Sequence, residues 1–338
     1  ISPTSLPWRS IQRAAVSTNG MVSTAHHEAT EIGIRTLEEG GNAIDAAVAA
    51  AFALGVCEPA ASGLGGQTMM LIHSAETRKK VALDGSSRAP YRALPNSLTP
   101  ADVRRGPKAA TVPSTPATLD YALRTYGTRG LKQILGPVIA LAETGPKVTP
   151  LQRALTRRER KHLKLTNAAD FFLMESGKSP PVGHRLAQPV LAETLKRLAR
   201  RGVEDFYTGG IAAAIHRDMV RNAGLIRKDD LAQIPWPIER RPLTGDFNSA
   251  RFFTMPPPGA GRTLVEMLNI LSHMRPSQYD PDTPEGAGRL AEVIRRAFLD
   301  RRDRPFDPNF YPQVEEQRMV DPEYARVVAR EIRRTIRT

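Results

Sequence analysis

Apolar residues recur every three to four positions over most of this chain, so helical periods dominate its pattern. Glu28–Glu39 reads as an amphipathic helix stopped at Gly40-Gly41, and Asn42 is placed to cap a second helix over Ala43–Val56. That second helix has no polar face. Nearly every side chain from Ala43 to Cys57 is small or apolar, a surface that lets neighbouring backbones come close. Further helical periods cover 115–126, 131–144, 150–165, 189–201, 208–223, 262–273, 286–302 and 321–336. Strand character is sparse. "TMMLIHS" (68–74) and "KKVALDG" (79–85) flank the polar "AETR" and predict a hairpin. "RPLTGDF" and "ARFFTM", within 241–255, predict a second pair. Isolated hairpins do not make a sheet core. The pattern therefore predicts one α-rich α/β unit over 1–338 that is part of something larger. Neither an internal repeat nor a low-complexity linker divides it, and "DPDTPEGAG" (280–288) is the best loop candidate.

Composition narrows the class. With 41% hydrophobic and 25% charged residues in 338, the chain is an ordinary globular protein rather than a disordered one. Its single cysteine, Cys57, rules out an internal disulfide framework and a cysteine-rich zinc site. Lying inside an apolar run, Cys57 is expected to be a small buried hydrophobe. The net charge of +13 would suit a polyanion. But the basic clusters at 156–164, 195–202, 294–304 and 330–337 each interleave with apolar residues at helical spacing. They read as solvated helix faces, and no nucleic-acid partner is expected. No apolar run reaches the ~18–20 residues of a membrane span, and no membrane association is expected. The opening "ISPTSLPWRSIQRAAV" lacks the layout of a signal peptide.

Candidate chemistry is thin. "HHE" at 26–28 lacks the i, i+4 spacing of a metal pair on one helix, and no metal site is expected. Neither a G-x-S-x-G elbow nor a Walker or dinucleotide loop occurs. Gly63, Gly65 and Gly66 precede a strand rather than a helix, so they are not placed to cradle phosphate. One arginine stands out: Arg88 in "LDGSSRAP", just after a predicted strand, can grip a carboxylate with two parallel hydrogen bonds. Its alternative is a structural salt bridge.

The order of motifs is more specific than any one of them. "NGMVSTAHHEATEIGIRTLEEGGNAIDAAVAAAFALGVCEPAASGLGG" resembles the opening of the large subunit of the γ-glutamyltransferase family. The likeness continues through "LDGSSRAP", "VPSTPATLDYALRTYGT", "LGPVIALAETGPKVTPL", "DFYTGGIAAAIHRDMVRNAGLIRKDDLAQI", "MPPPGAGRTLVEMLNIL" and "AFLDRRDRPFDPNF", covering roughly 19–325 in family order. Members are N-terminal-nucleophile hydrolases with a four-layer αββα fold, made as one precursor that cuts itself in two. The resemblance implies that this chain is the α-rich large subunit of an αβ heterodimer, its sheet completed by a small subunit from the same precursor. The nucleophile would be the threonine opening that small subunit, activated by its own α-amino group, with no catalytic residue in this chain, which ends where a large subunit would end. The Ala-rich helix would pack against the partner's sheet, with Gly63, Gly65 and Gly66 allowing close backbone approach near the pocket.

The implied reaction is cleavage of a γ-glutamyl amide such as glutathione through an acyl-enzyme resolved by water or an acceptor amine, without a cofactor. Arg88, with Ser86 and Ser87, would hold the donor's carboxylate. Members usually carry that arginine where this chain has Ser86; two positions along a strand keep a side chain on one face, which would return Arg88 to the pocket, the alternative being that it points elsewhere. Gln67 and Ser114 replace two of the family's glycines, and the "GSSRAP" form is closer to divergent acylases. The alternative is therefore an acylase or amidohydrolase of the cephalosporin-acylase or oxamate-amidohydrolase kind. The rival from another class is an inactive basic binding protein on the same scaffold. The resemblance favours a periplasmic or extracellular setting over a cytoplasmic one.

Overall fold

The computed structural model describes residues 15–302 and 317–336. Most of the opening segment read for a signal peptide and the end of the basic cluster at 294–304 lie outside the described residues, as do the last two positions. In chain order the elements are α1 (His27–Glu38), α2 (Ala43–Cys57), β1 (Thr68–His73), β2 (Lys80–Gly85), α3 (Thr115–Tyr126), α4 (Leu131–Thr144) and α5 (Pro150–Leu163). They continue with α6 (Ala168–Phe172), α7 (Pro189–Arg201), α8 (Glu204–Tyr207), α9 (Gly210–Arg221), α10 (Lys228–Ala232), β3 (Ile238–Arg240), β4 (Leu243–Phe247) and β5 (Ala250–Thr254). The last four are α11 (Gly261–Ser272), α12 (Pro284–Arg302), α13 (Gln317–Val320) and α14 (Pro322–Thr335). The long helices and both hairpins fall close to where the hydrophobic pattern puts them. The pattern passes over α6, α8, α10, α13 and β3 because each is too short for a period to register.

The chain divides into two compact units, one comprising 1–66 and 119–232, the other 67–118 and 233–338. Among the described residues of the first unit, the regular elements are all helices. Helix α1 buries Ala29, Ile32, Gly33 and Thr36, the i, i+3, i+4, i+7 set of one face. The chain reverses at Gly40, whose φ of +84° is a conformation that favours glycine. Helix α2 packs against both α1 and α4. It buries Ala46, Val48, Ala49, Ala50, Phe52, Ala53, Val56 and Cys57, so its lack of a polar face is satisfied largely within this chain. Ala43 and Ala47 remain exposed, and Ala51 and Leu54 half-buried.

One polar group stands inside that apolar helix. Asp45 has no solvent exposure, which for a carboxylate is costly unless its oxygens are hydrogen-bonded. They are. Asn42 N donates to Oδ2 at 2.8 Å, the Thr128 hydroxyl to Oδ2 at 2.6 Å, and the amides of Thr128 and Arg129 to Oδ1 at 2.9 and 3.0 Å. Asn42 Oδ1 in turn accepts from Ile44 N and Asp45 N, closing a reciprocal capping box. Asn42 Nδ2 donates to the Tyr126 carbonyl at 2.7 Å. The turn between α3 and α4 is thereby tied to the first turn of α2. Gly127 is required in it: a Cβ there would stand 2.6 Å from Asp45 Oδ1.

The second unit holds all five described strands. In the antiparallel sheet β1-β2-β3, Thr68 pairs Gly85, His73 pairs Lys80, and Asp84 pairs Ile238. Strand β2 is central, and Val81 to Gly85 are consecutively buried, as for a strand covered on both faces. The β4-β5 hairpin turns through Asn248 and Ser249, both at positive φ, which matches the twist of the flanking strands. Helices α11, α12 and α14 close a separate apolar core around Ile270, Met274, Val293, Val328, Ala329 and Ile332.

Burial pushes the Asp45 carboxyl upward, and the hydrogen bonds from Thr128, Asn42 and Arg129 outweigh it, leaving the group below its ordinary value of 3.8. A depressed folded value stabilises the native state above the unfolded value, and the contribution is lost as pH falls through the folded one. Asp45→Asn is therefore expected to lower the denaturant midpoint by the equivalent of about 2 kcal/mol or more at neutral pH. The gap between variant and parent should close in acid, below the ordinary carboxylate value. A gap that persists unchanged there would show that charge is not what Asp45 supplies.

Candidate functional site

The segment leaving β2 carries the residues singled out for substrate. Asp84, 5% exposed, sits one residue before the end of that buried strand. Its Oδ2 accepts from Arg240 Nε on β3 at 2.9 Å, and its Oδ1 accepts from the Ser86 hydroxyl at 2.6 Å and the Ser86 amide at 3.2 Å. A buried carboxylate thus holds the neighbouring strand with one oxygen and the outgoing turn with the other. Gly85 must be glycine here, because a Cβ would fall 2.3 Å from the Thr68 carbonyl and closer still to the Thr118 hydroxyl. The Ser114 hydroxyl donates to the Gly85 carbonyl, so this replacement of a family glycine makes a buried bond of its own. Thr68 donates to the Thr115 hydroxyl at 3.0 Å beside it.

The turn is fixed further along. Gln67 Oε1 accepts from Ser87 N at 3.1 Å and from the Ser87 hydroxyl at 3.4 Å. The Arg88 carbonyl accepts from Val112 N at 2.8 Å in an isolated antiparallel bridge. Ser86 and Ser87 therefore spend their hydroxyl protons on Asp84 and Gln67. Arg88 differs from both. Its backbone is pinned, its side chain is exposed, and its guanidinium makes no hydrogen bond or ion pair with the described residues. The structural-salt-bridge alternative has no partner among them. The expectation from strand parity needs correction. Strand β2 ends at Gly85, so the direction of Arg88 is set by the turn and the Val112 bridge, not by an even offset along a strand.

Gly63, Gly65 and Gly66 belong to the first unit. A Cβ at Gly63 or Gly65 would meet nothing within 4 Å, and neither residue lies at positive φ. The close approach in that loop is a different one, where a Cβ on Gly55 of α2 would come 3.3 Å from the Gly63 Cα. Cys57 is buried as expected, at 1% exposure. Basic residues of the cluster at 156–164 lie on the exposed face of α5, as Arg157, Arg158, Arg160 and Lys161 illustrate. Sequence reasoning missed Asp84 and Arg240 as organisers of the turn. Their separation of 156 positions leaves no local signal. Side chains of metal-ligating type group together at His26, Glu28 and Cys57 in the first unit.

Comparison with known proteins follows the geometry. A family model described as gamma-glutamyltranspeptidase matches residues 29–338. The chain is 37% identical over 305 residues to a glutathione hydrolase proenzyme of Bacillus subtilis, covering 87% of this chain and 51% of that protein. The crystal structure of Helicobacter pylori gamma-glutamyltranspeptidase resembles it with a TM-score of 0.89 at 33% identity, over 94% of this chain and 93% of that one. A cephalosporin acylase from Bacillus halodurans gives 0.84 at 31% identity, over 98% and 62%. The chain spans about half the length of the curated relatives it matches.

Truncating Arg240 would strand the Asp84 carboxylate without its buried partner. Arg240→Met is expected to cost about 3–5 kcal/mol of stability in denaturant unfolding, the penalty for an unpaired buried charge. A cost below about 1 kcal/mol, the worth of a surface pair, would mean that Ser86 alone suffices for Asp84.

Proposed function

The chain belongs to the gamma-glutamyltranspeptidase family, and on that premise we propose that it is the large subunit of a self-processing amidohydrolase or acyltransferase acting on γ-glutamyl amides such as glutathione. The family match along nearly all of the described chain carries this reading. In it, a threonine at the start of a small subunit, cut from the same precursor, attacks the amide carbonyl. Its own α-amino group takes the hydroxyl proton, the amine leaves, and water or an acceptor amine resolves the ester. This chain's part is to hold the donor. Arg88 suits that part because its guanidinium is uncommitted among the described residues while its backbone is held by the Val112 bridge, on a turn anchored by Asp84. A planar fork can meet a carboxylate with two parallel hydrogen bonds, which also fixes the direction of the bound acyl group. Ser86 and Ser87 shape the turn and keep hydroxyl lone pairs for a donor ammonium.

A second reading has its own support. Ser86 stands where the resemblance puts the carboxylate-binding arginine, and the likeness to a cephalosporin acylase is nearly as full as that to the gamma-glutamyltranspeptidase. An acylase of the same mechanism with a non-γ-glutamyl donor would use Arg88 differently. Rates on γ-glutamyl anilide against other acyl anilides separate the two.

Intact-mass and N-terminal analysis of the full-length protein is expected to find a second chain beginning with threonine. A single uncut chain would overturn self-processing and bring forward the inactive binding protein. Losing one charge-assisted hydrogen bond is worth about 1.5–3 kcal/mol. Arg88→Lys should therefore raise KM for a γ-glutamyl donor roughly tenfold or more and change kcat little. An unchanged KM would remove Arg88 from the site without touching the assignment of the reaction class.

A further inference from the structure

The α1–α2 hairpin brings its two free ends together. His26 is the residue that opens α1, Glu28 lies in its first turn, and Cys57 is the last residue of α2. One donor atom from each lies within 4.8 Å of the others, and His26 Nδ1 is 3.8 Å from Glu28 Oε2. The cluster is enclosed. His26 is 6% exposed and Cys57 1%, with Glu28 partly covered. Among the described residues neither ring nitrogen of His26 has a hydrogen-bond partner, and Glu28 Oε2 has none. Buried imidazole nitrogens are almost always satisfied, so an unmet one grouped with a thiol and a carboxylate calls for a partner that the described residues do not supply.

The surrounding side chains favour a cation. Glu28 and Glu58 both lie near His26 and Cys57, while His27, stacked 4.9 Å from His26 by ring centroids, is exposed. Within the cluster an imidazole nitrogen and a carboxylate oxygen offer lone pairs, and a thiol can exchange its proton for a metal.

We propose that His26, Glu28 and Cys57 form a binding site for a divalent metal ion of the zinc class. Nitrogen, oxygen and sulfur donors together suit that borderline-soft ion. Binding replaces the thiol proton by a metal–sulfur bond, and the proton passes to solvent. Thiolate and carboxylate then balance the two positive charges, so the buried site is neutral. Zinc bond lengths of about 2.0–2.3 Å place donors in a tetrahedron roughly 3.3–3.8 Å apart, so the His26–Glu28 edge at 3.8 Å needs to close by about half an ångström and Cys57 by up to about an ångström more. The fourth position is open to water. Along the sequence, 26 and 28 do not make a metal pair on one helix. The second helix, returning antiparallel, supplies the third ligand.

The experiment uses the full-length protein, stripped with a chelator and titrated with Co(II) and then Zn(II). One equivalent of Co(II) per chain is expected, with a thiolate-to-cobalt charge-transfer band that Zn(II) abolishes. Cys57→Ala should lose the band. Losing even an outer-shell partner weakens metal sites about 10–100-fold, so Glu28→Gln should bind at least that much more weakly. Glu28 is partly exposed, so this variant keeps the test alive if Cys57→Ala does not fold. No band in the parent protein, equal Co(II) uptake by Cys57→Ala, or unchanged affinity in Glu28→Gln each overturns the proposal.

Discussion

A carboxylate with no solvent exposure organises the first unit. Asp45 sits in an otherwise apolar helix, and burying it is tolerable only while its two oxygens accept from Asn42, Thr128 and Arg129. Those donors come from two directions: the start of α2 itself and the α3–α4 turn. Their geometry therefore fixes where that turn lies against α2. Once the start of α2 is fixed, so is the glycine reversal before it and the antiparallel run of α1 alongside. The far end of the same hairpin is where His26, Glu28 and Cys57 meet.

The second unit repeats the device for a different end. Asp84 is buried because β2 is the central strand of its sheet, and its oxygens bind one strand through Arg240 and one turn through Ser86. A rigid turn matters to the proposed role of Arg88, because a binding group held by a mobile loop loses ordering entropy when it engages its ligand. The backbone at Arg88 is held on both sides, by Ser87–Gln67 and by Val112, while the guanidinium makes no hydrogen bond or ion pair with the described residues. Both buried acids therefore stabilise geometry rather than perform chemistry. That division is in keeping with the proposed function, in which the nucleophile lies on another subunit.

Membership of the gamma-glutamyltranspeptidase family accounts for an otherwise odd composition of parts. Helices far outnumber strands, and the β4-β5 hairpin stands as a two-stranded sheet of its own. Two strands alone are marginal in water. The α2 surface is less anomalous than its sequence suggests, since α1 and α4 cover most of it. What remains open is the narrow line of small residues through Ala43 and Ala47.

By itself the sequence determined the local elements. The 3.6-residue period of Ala29, Ile32, Gly33 and Thr36 specifies α1, and Asn42 with Asp45 three positions later specifies the cap of α2. The polar "AETR" between apolar runs specifies the first hairpin. Order and spacing of whole motifs also identified the family, because many weak matches in sequence are jointly specific. Contacts over long separations were decided only by the tertiary structure. Asp84 meets Arg240 across 156 positions, and Asp45 meets Thr128 across 83. Nothing in the flanking residues of either acid names its partner. The fate of Arg88 belongs to the same class: strand parity fails because β2 stops at Gly85, where neighbours from Thr68 and Thr118 leave room only for glycine. The meeting of His26 and Glu28 with Cys57 does too. Periodicity reports which face of an element is apolar. It carries no term for which buried polar groups from different elements share one space, and that is settled by packing alone.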